Sequence, residues 1–379
     1  MAEKAGIRSV SLVATGFLGQ AAAVGKALGL HDLAVAEYPG VPMVDSQEEL
    51  YRKVEDVIVG NVIRALTAES GHVARPAEPG PKDIIFKGSL DEVNESFYEK
   101  MWAEGLPIIP PTVDRVESFL EFTDRAPDEV VAVLLPENRE ATVWSIAVNG
   151  VMAGCRPEYM PVLTAVVEAI AAPEFRLEDA GSTPGWEPII ILNGPIIKRL
   201  DFNCGSGVMR VGRRANTSIG RFLRLYMRNV AGLRIAPGAT DKGSIAYTFN
   251  VVLAENEDAI AEIGWQPFSV DRGFKAGDNV VTVQSVVSIT PPCYSGGQAA
   301  VDHLETMADI IGQSMAYRTA TAVRAGQFHP LFVFSPSVAT VIAEDGWRKE
   351  DVKLYLYENV KAPACFMEKR ARDGGKTSF

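Results

Sequence analysis

The stretch Val10-Ser11-Leu12-Val13-Ala14-Thr15-Gly16-Phe17-Leu18-Gly19 decides the fold class that the sequence predicts. Its first five residues form a short, mostly apolar run with the length of a β-strand, and its two glycines mark a turn. An alanine-rich helical segment comes next, and a second short strand follows at Leu33–Ala36. A strand, a helix and a strand in this order predict a βαβ unit.

The rest of the chain continues to alternate between strands and helices. Residues 71–82 are rich in proline, glycine and charged side chains, which is typical of a linker. We therefore expect an α/β fold of mixed sheets with helices: a small βαβ unit over residues 1–70, a linker over 71–82 and a larger α/β domain over 83–379. Strands are predicted at Val130–Leu135, Ile189–Leu192, Ile245–Leu253, Val280–Ile289 and Leu331–Phe334, and helices over 46–66, 140–153, 157–171, 216–229 and 299–325 and after Arg348.

Charge and hydropathy argue against several classes of protein. With 37 Lys and Arg against 48 Asp and Glu, the formal net charge is -11, whereas proteins that bind nucleic acid generally carry a positive field. No apolar run is long enough to cross a bilayer, and Met1-Ala2-Glu3-Lys4 lacks the basic and apolar regions of a signal peptide. We expect a cytoplasmic protein that binds a small molecule and neither nucleic acid nor membranes.

Cysteine and histidine spacing predicts free thiols and no metal centre. The four cysteines lie far apart without a CxxC pair, and no two of the four histidines have the spacing of helical zinc ligands. We predict no cofactor. The residues concerned are Cys155, Cys204, Cys293 and Cys365, and His31, His72, His303 and His329.

The first candidate for chemistry is the segment Met152–Tyr159. Pro157 is favourable at the first position of a helix, which would place Cys155 and Arg156 at a corner just before a helix N-terminus. The helix dipole and the arginine would lower the pKa of the thiol and favour a nucleophilic thiolate. The alternative is a buried structural cysteine in a tight corner, with Arg156 paired to Glu158.

The second candidate combines the glycine-rich Asn203–Gly207 with Gly212–Arg221. Small residues near a helix start let a ligand approach the backbone, and Asn216, Thr217 or Ser218 could cap the helix. Either this stretch binds an anion, carboxylate or phosphate, or it is a basic helix paired with acidic neighbours. The glycine spacing matches neither a Walker A motif nor a dinucleotide fingerprint. Six arginines cluster here: Arg210, Arg213, Arg214, Arg221, Arg224 and Arg228.

A weaker candidate is Asn193-Gly194-Pro195, which directly follows the predicted strand Ile189–Leu192. Open α/β sheets place functional groups at the carboxyl ends of strands. The same three residues also suit an ordinary turn.

Several segments resemble, in order, a bacterial family that accompanies the UGSC domain, named for its selenocysteine-or-cysteine-Gly-Ser-Cys motif. They are Leu106–Val116, Met152–Tyr159, Ile191–Pro195, Arg214–Arg221 and Ala343–Val352. The N-terminal βαβ unit is similar in outline to the UGSC domain, whose reactive atom lies between the first strand and its helix. Here that place reads Thr15–Gln20 and contains no cysteine. The resemblance implies thiol- or selenol-linked chemistry, moved to Cys155 or Cys204 or supplied by a partner chain.

Two functional hypotheses follow. The first is a thiol-dependent enzyme, a lyase or hydrolase that cleaves a carbon–heteroatom bond in a small anionic substrate. In it Cys155 is the nucleophile, Arg156 stabilises negative charge, and Glu158 or Tyr159 moves a proton. The second is a scaffold or regulatory subunit of a hetero-oligomer with an intact UGSC-type partner, and in either case we expect a homo- or hetero-oligomer. The predicted substrate-binding residues are Asn193, Cys204, Gly205, Gly207, Arg214, Asn216, Thr217, Ser218 and Arg221.

Overall fold

The computed structural model confirms a mixed α/β fold. It divides into two compact units, each assembled from separate stretches of chain. Unit 1 comprises Met1–Ile190, Arg210–Val252 and Val283–Ser285, and unit 2 comprises Ile191–Met209, Leu253–Thr282 and Val286–Phe379. The structure describes residues 7–27, 33–42, 44–68, 79–135, 137–177, 186–233, 251–286, 289, 293–325, 330–361, 363–365 and 368.

The predicted domain boundary stays a prediction, because residues 71–78 of the linker lie outside the described residues. A division that the sequence did not indicate runs through the predicted main domain of residues 83–379. This division falls within three strands, which the sequence alone gives no means of locating.

The N-terminal segment forms the predicted βαβ unit. Strand β1 (Ser11–Ala14) and strand β2 (Val35–Tyr38) pair in parallel, with Ser11 opposite Val35, and helix α1 (Leu18–Ala27) connects them. Helix α2 (Gln47–Lys53) begins at the predicted cap, because the Ser46 hydroxyl accepts a hydrogen bond from the Glu49 amide at 3.2 Å. A π-helical turn then leads into helix α3 (Val59–Thr67).

Unit 1 continues with helices α4 (Leu90–Glu99) and α5 (Val113–Leu120) and an antiparallel pair of strands, β3 (Val130–Leu134) and β4 (Arg139–Thr142). The helix predicted over residues 140–153 is therefore wrong in its first three residues, which pair with β3 instead. Helix α6 (Val143–Ala153) starts after Thr142, whose hydroxyl caps it by accepting from the Ser145 amide at 3.1 Å.

The core of unit 1 lies among α6, α7 (Met160–Ala171) and α9 (Arg214–Tyr226). Ile146, Leu163 and Phe222 from these three helices are completely buried. Burial of each such side chain contributes about 1.5–3 kcal/mol relative to leaving it exposed. This packing fixes the start of α9 against the corner between α6 and α7.

A three-stranded sheet has the order β6 (Val252–Ala254), β5 (Glu187–Asn193) and β7 (Val280–Val286). These strands correspond to three of the predicted ones, although residues 245–250, 287 and 288 lie outside the described residues. The helices of unit 2 are α8 (Ile196–Arg199), α10 (Glu257–Glu262), α11 (Phe268–Asp271), α12 (Ala300–Ala325), α13 (Pro336–Glu344) and α14 (Lys349–Asn359).

A second apolar core in unit 2 is built by α12, α13 and α14, with Leu304, Ile342 and Leu356 at its centre. The predicted strand Leu331–Phe334 is wrong, since these residues form no strand. Phe332 and Phe334 pack on the helical core instead, which accounts for their apolar character without a β ladder. None of the helices in the described ranges is long and apolar enough to cross a membrane.

Candidate functional site

The segment between α6 and α7 forms the corner that the sequence predicted. Gly154 ends α6 in the left-handed conformation, with φ at 81°, which glycine adopts without steric cost. The Cys155 amide donates to the Gly150 carbonyl at 3.0 Å. Pro157 opens a short 3-10 turn that leads into α7. Cys155 therefore lies directly before a helical start.

The Cys155 thiol differs from the sequence expectation in its protonation. The residue is only 5% exposed, and burial raises the thiol pKa from 9.0 to about 12, although a hydrogen bond with Ser218 and the charges of Arg214 and Arg221 act in the opposite direction. The expected lowering of the pKa is wrong, because desolvation of the thiolate outweighs these favourable interactions. Cys155 is a neutral thiol near pH 7.

The neighbours proposed to assist Cys155 have structural partners. Arg156 and Glu158 pair with each other at 3.6 Å and are both half-exposed, so their mutual attraction is weak. Tyr159 is buried, and burial raises its phenol pKa. Tyr159 therefore keeps its proton well above neutral pH. The catalytic roles predicted for these residues stay predictions.

The start of α9 is not capped as expected. Its N-cap residue is Arg213, without a side-chain cap, so Asn216, Thr217 and Ser218 lie inside the helix. The Asn216 side chain donates to the Val252 carbonyl at 2.9 Å, and Ser218 donates to the Arg214 carbonyl at 2.7 Å. The expected capping role is wrong, because the helix starts two residues earlier than predicted.

The arginine side chains of α9 form ion pairs with carboxylates and donate hydrogen bonds to backbone carbonyls. Arg221 donates to Glu104 at 2.5 Å and to the Pro107 carbonyl at 2.8 Å, and Arg224 pairs with Glu187. The Arg214 Nε donates to the Gly154 carbonyl at 3.1 Å. The structure thus brings Cys155, Arg214, Ser218 and Arg221 together, as parts of a densely paired region.

The remaining predicted residues belong to unit 2, where Cys204 lies in a short loop. Asn203 organises this loop, because its side-chain oxygen accepts from the Gly205 amide at 3.0 Å and its nitrogen donates to the Ser206 carbonyl at 3.1 Å. Gly207 has a φ of 72°, in the region that glycine favours. The Cys204 thiol is free and half-buried.

Lys198 supplies a positive charge near Cys204. Its ammonium donates to Asp258 at 2.7 Å, and this hydrogen bond is the main cause that raises the lysine pKa. Glu257 also acts on Lys198 in the same direction, and Cys204 lies close enough to contribute. Lys198 is therefore charged throughout the neutral range.

Asn193 is completely buried at the end of β5. Its side-chain nitrogen donates to Glu255 at 2.5 Å and to Glu257 at 2.9 Å. The Phe268 amide also donates to Glu255 at 2.7 Å, and burial raises the pKa of this carboxyl. Sequence reasoning missed both glutamates. The sequence feature that could have indicated them is the acidic segment Ala254-Glu255-Asn256-Glu257, which directly follows an apolar run.

Comparison with known proteins does not identify the chain. No family model, curated protein or solved structure matches it. The resemblance to the UGSC-associated family stays a prediction. Within the described residues, no group of three or more His, Cys, Asp or Glu side chains is arranged to hold a metal ion.

Proposed function

We propose that this protein is a thiol-dependent enzyme that acts on a small anionic substrate, with Cys204 as the reacting thiol. The observation that carries the proposal is the contrast between the two candidate cysteines. Cys155 is buried, and its pKa is raised to about 12, whereas Cys204 is half-buried in a loop next to a lysine. A nucleophilic cysteine needs both access and nearby positive charge.

Lys198 supports the anionic character of the substrate. Its ammonium donates to Asp258 at 2.7 Å, and its pKa, which this hydrogen bond raises, keeps it protonated at neutral pH. The same charge would attract an anionic group of the substrate toward the loop that carries Cys204.

The loop geometry supports access of a substrate to the thiol. Gly205 directly follows Cys204, Gly207 comes two residues later in this loop, and neither glycine presents a side chain. Both of their positions are exposed. The Asn203 side chain accepts one hydrogen bond and donates another within the loop, and the two together hold it in one conformation. A fixed loop lowers the conformational entropy that binding would otherwise remove.

The proposed chemistry is cleavage of a carbon–heteroatom bond. For an acyl substrate, the thiolate sulfur adds to the carbonyl carbon and forms a carbon–sulfur bond. The bond from that carbon to nitrogen or oxygen breaks, and the leaving group takes a proton. Water then hydrolyses the thioester, releasing a carboxylic acid and regenerating the thiol.

The first test compares alkylation by iodoacetate, which is anionic, with alkylation by iodoacetamide, which is neutral. Mass spectrometry of peptides gives the rate for each cysteine. We expect the iodoacetate-to-iodoacetamide rate ratio at Cys204 to exceed that at exposed Cys365, because a nearby cation attracts the anionic reagent. Lys198→Met should abolish this preference.

Matched variants isolate the role of the lysine. Lys353→Met removes the same charge from exposed α14 and should leave the ratio at Cys204 unchanged. Lys198→Met combined with Asp258→Asn avoids leaving an uncompensated carboxylate and should also lack the preference. Equal ratios at Cys204 and Cys365, or faster labelling of Cys155 than of Cys204, would contradict the proposal.

A second test separates the enzyme from a scaffold. Mono-4-nitrophenyl succinate is an anionic ester, and the wild-type chain alone should release a burst of nitrophenolate that Cys204→Ser abolishes and Cys155→Ser retains. Absence of a burst, together with co-purification of a larger cysteine-containing partner, would favour the scaffold hypothesis.

A further inference from the structure

Residues 83–87, Asp-Ile-Ile-Phe-Lys, form an apolar segment with charged ends on the surface of unit 1. The segment runs without a helix, turn or bend. Ile84 is 68% exposed, Ile85 is 42% exposed and Phe86 is 39% exposed. Single exposed apolar side chains are normal in folded proteins. Three consecutive ones form a patch of the kind that is found at interaction sites.

The chain fixes this segment at both of its ends. Before it, the Lys82 ammonium donates to Glu117 of α5 at 2.7 Å and lies 5.6 Å from the centre of the Trp144 ring of α6. After it, Ser89 is the N-cap residue of α4, and its amide donates to Glu92 at 2.7 Å. A segment that is fixed in this way loses little conformational entropy when a partner binds to it.

The backbone of the segment has unused hydrogen-bonding groups. In the described part of the chain, the amides and carbonyls of Ile84–Lys87 form no hydrogen bond with another residue. An unpaired stretch of backbone is a template for a further strand, and proteins generally cover such a stretch when its side chains are apolar. Strand addition is a recurring mode of protein–protein binding. Residues 84–87 therefore suit a partner that is itself an extended segment.

The charges at the ends of the segment favour a second copy of the same segment as that partner. In an antiparallel pair centred on Ile85, Asp83 of one copy lies opposite Lys87 of the other. Ile84 then lies opposite Phe86. Opposite charges directly across an antiparallel pair stabilise it, as do pairs of aromatic and β-branched side chains. The two-fold symmetry gives one Asp83–Lys87 pair at each end, with the apolar pairs between them.

Both charged side chains are available for such pairs. Within the ranges that the structure describes, Lys87 forms no ion pair. Asp83 uses Oδ2 to accept from the Gly80 amide at 2.7 Å, which leaves Oδ1 for a lysine. A parallel pairing in the same register would place each charge opposite a like charge, which is unfavourable. The segment is therefore self-complementary only in the antiparallel orientation.

We propose that this protein self-associates through residues 83–87, which pair in antiparallel orientation with the same residues of a second copy. The contact is isologous, as in most dimers with two-fold symmetry. Its length is about 17 Å, from five residues of an antiparallel strand. A contact of this size is typical of weak, reversible association. Cys204 plays no part in it, since Cys204 belongs to unit 2.

Sedimentation velocity of the full-length protein, from low to high micromolar concentration, measures this association. The wild type should shift from monomer to dimer. Asp83→Lys and Lys87→Asp should each weaken the dimer about tenfold or more, because like charges then lie opposite each other at both ends. An equimolar mixture of the two variants should associate like the wild type, because every lysine then faces an aspartate. The variant with both substitutions should do the same.

A charge change elsewhere provides the matched control for this measurement. Lys353→Asp makes the same change on exposed α14 of unit 2 and should form dimers like the wild type. Ile85→Glu places two glutamates opposite each other at the centre of the contact and should abolish the dimer. Because the Ile85 side chain is 42% exposed, this variant should keep the circular dichroism spectrum of the wild type.

A disulfide trap tests the register. Ile85 lies opposite its own symmetry mate, at a Cα separation of about 4.5–5.5 Å that a disulfide can span. Oxidised Ile85→Cys should therefore give a disulfide between two copies of the peptide that contains position 85, detected by mass spectrometry. Leu90→Cys, in α4 and 59% exposed, should cross-link no more than the wild type, whose Cys365 is exposed.

Three results would overturn the proposal. The first is a wild type that stays monomeric at every concentration. The second is a mixture of the two single charge variants that associates no better than either variant alone. The third is protection of the Ile84–Lys87 amides from hydrogen exchange in the dilute monomer, which would show that another part of the same chain covers the segment.

Discussion

Replacing Arg221 by alanine should destabilise the protein in the absence of any ligand. The Arg221 side chain is 17% exposed and that of Glu104 is 15% exposed. Their bond is reinforced by donation from Arg221 to the Leu106 and Pro107 carbonyls at 3.3 and 2.8 Å. The substitution leaves a mostly buried carboxylate, one oxygen of which already has no partner.

The magnitude follows from the desolvation of that carboxylate. Removing one member of a buried ion pair costs about 3–5 kcal/mol, and the partial exposure of this pair places Arg221→Ala near the lower value. At about 2–4 °C per kcal/mol, the thermal midpoint should fall by about 6–12 °C. Arg221→Lys should recover only part of the loss, because lysine lacks the planar group that reaches several acceptors.

Urea denaturation followed by circular dichroism measures the free energy of unfolding. A double-mutant cycle with Glu104→Gln isolates the pair, and Arg156→Ala serves as the control. Arg156 is 52% exposed and pairs with Glu158 only at 3.6 Å, so its loss should cost less than about 0.5 kcal/mol. The reasoning fails if Arg221→Ala leaves the unfolding free energy unchanged but weakens binding of small anions.

Two other predictions concern Cys155 and Gly194. The folded-state pKa of Cys155, about 12, lies above its ordinary value of 9.0, so its contribution is complete below pH 9 and is lost as the pH rises toward 12. Between pH 9 and 11 the unfolding free energy of wild type should fall more steeply than that of Cys155→Ala, by up to about 1.4 kcal/mol per pH unit. Equal slopes would refute the raised pKa. Gly194 has a φ of 99°, and a Cβ there would collide with the Asp278 carbonyl. Gly194→Ala should therefore lower the free energy of unfolding, measured by urea denaturation, by more than about 2 kcal/mol. Gly205→Ala should lower it little, because the nearest atom to a Cβ there is 3.8 Å away. Similar losses for the two variants would contradict this explanation.

Local signals in the sequence predicted local structure well. The Ser46 cap, the turn after β1 and the corner at Pro157 each depend on residues within a few positions of one another. The errors in the predicted elements arose where contacts between distant parts of the chain decide the structure. Arg139–Thr142 became a strand because β3 lies opposite, and Phe332 packs on a helical core. Both outcomes depend on contacts that no short window contains.

The properties of the candidate sites depend even more on contacts between residues that are far apart in sequence. The corner at Cys155 suggested a lowered pKa because only its adjacent charges and helix start are visible in sequence. Burial by distant helices reversed the direction. Likewise, Asn193 was a candidate from its place after a strand, but its glutamate partners lie more than 60 positions later. Side-chain partners across such separations are set by topology.

The discontinuous makeup of the two units has a consequence for folding during synthesis. When the ribosome has completed α7, the faces of α6 and α7 still lack α9, which carries Phe222 and Tyr226. The apolar side chains of Ile146, Met160 and Leu163 stay exposed until α9 has been synthesised. Exposed apolar surface of this kind is prone to aggregate. Unit 2 needs its last helices, whose residues Ile342 and Leu356 complete its core. A nascent chain of this protein therefore stays incompletely folded, with apolar surface exposed, until α14 has been synthesised.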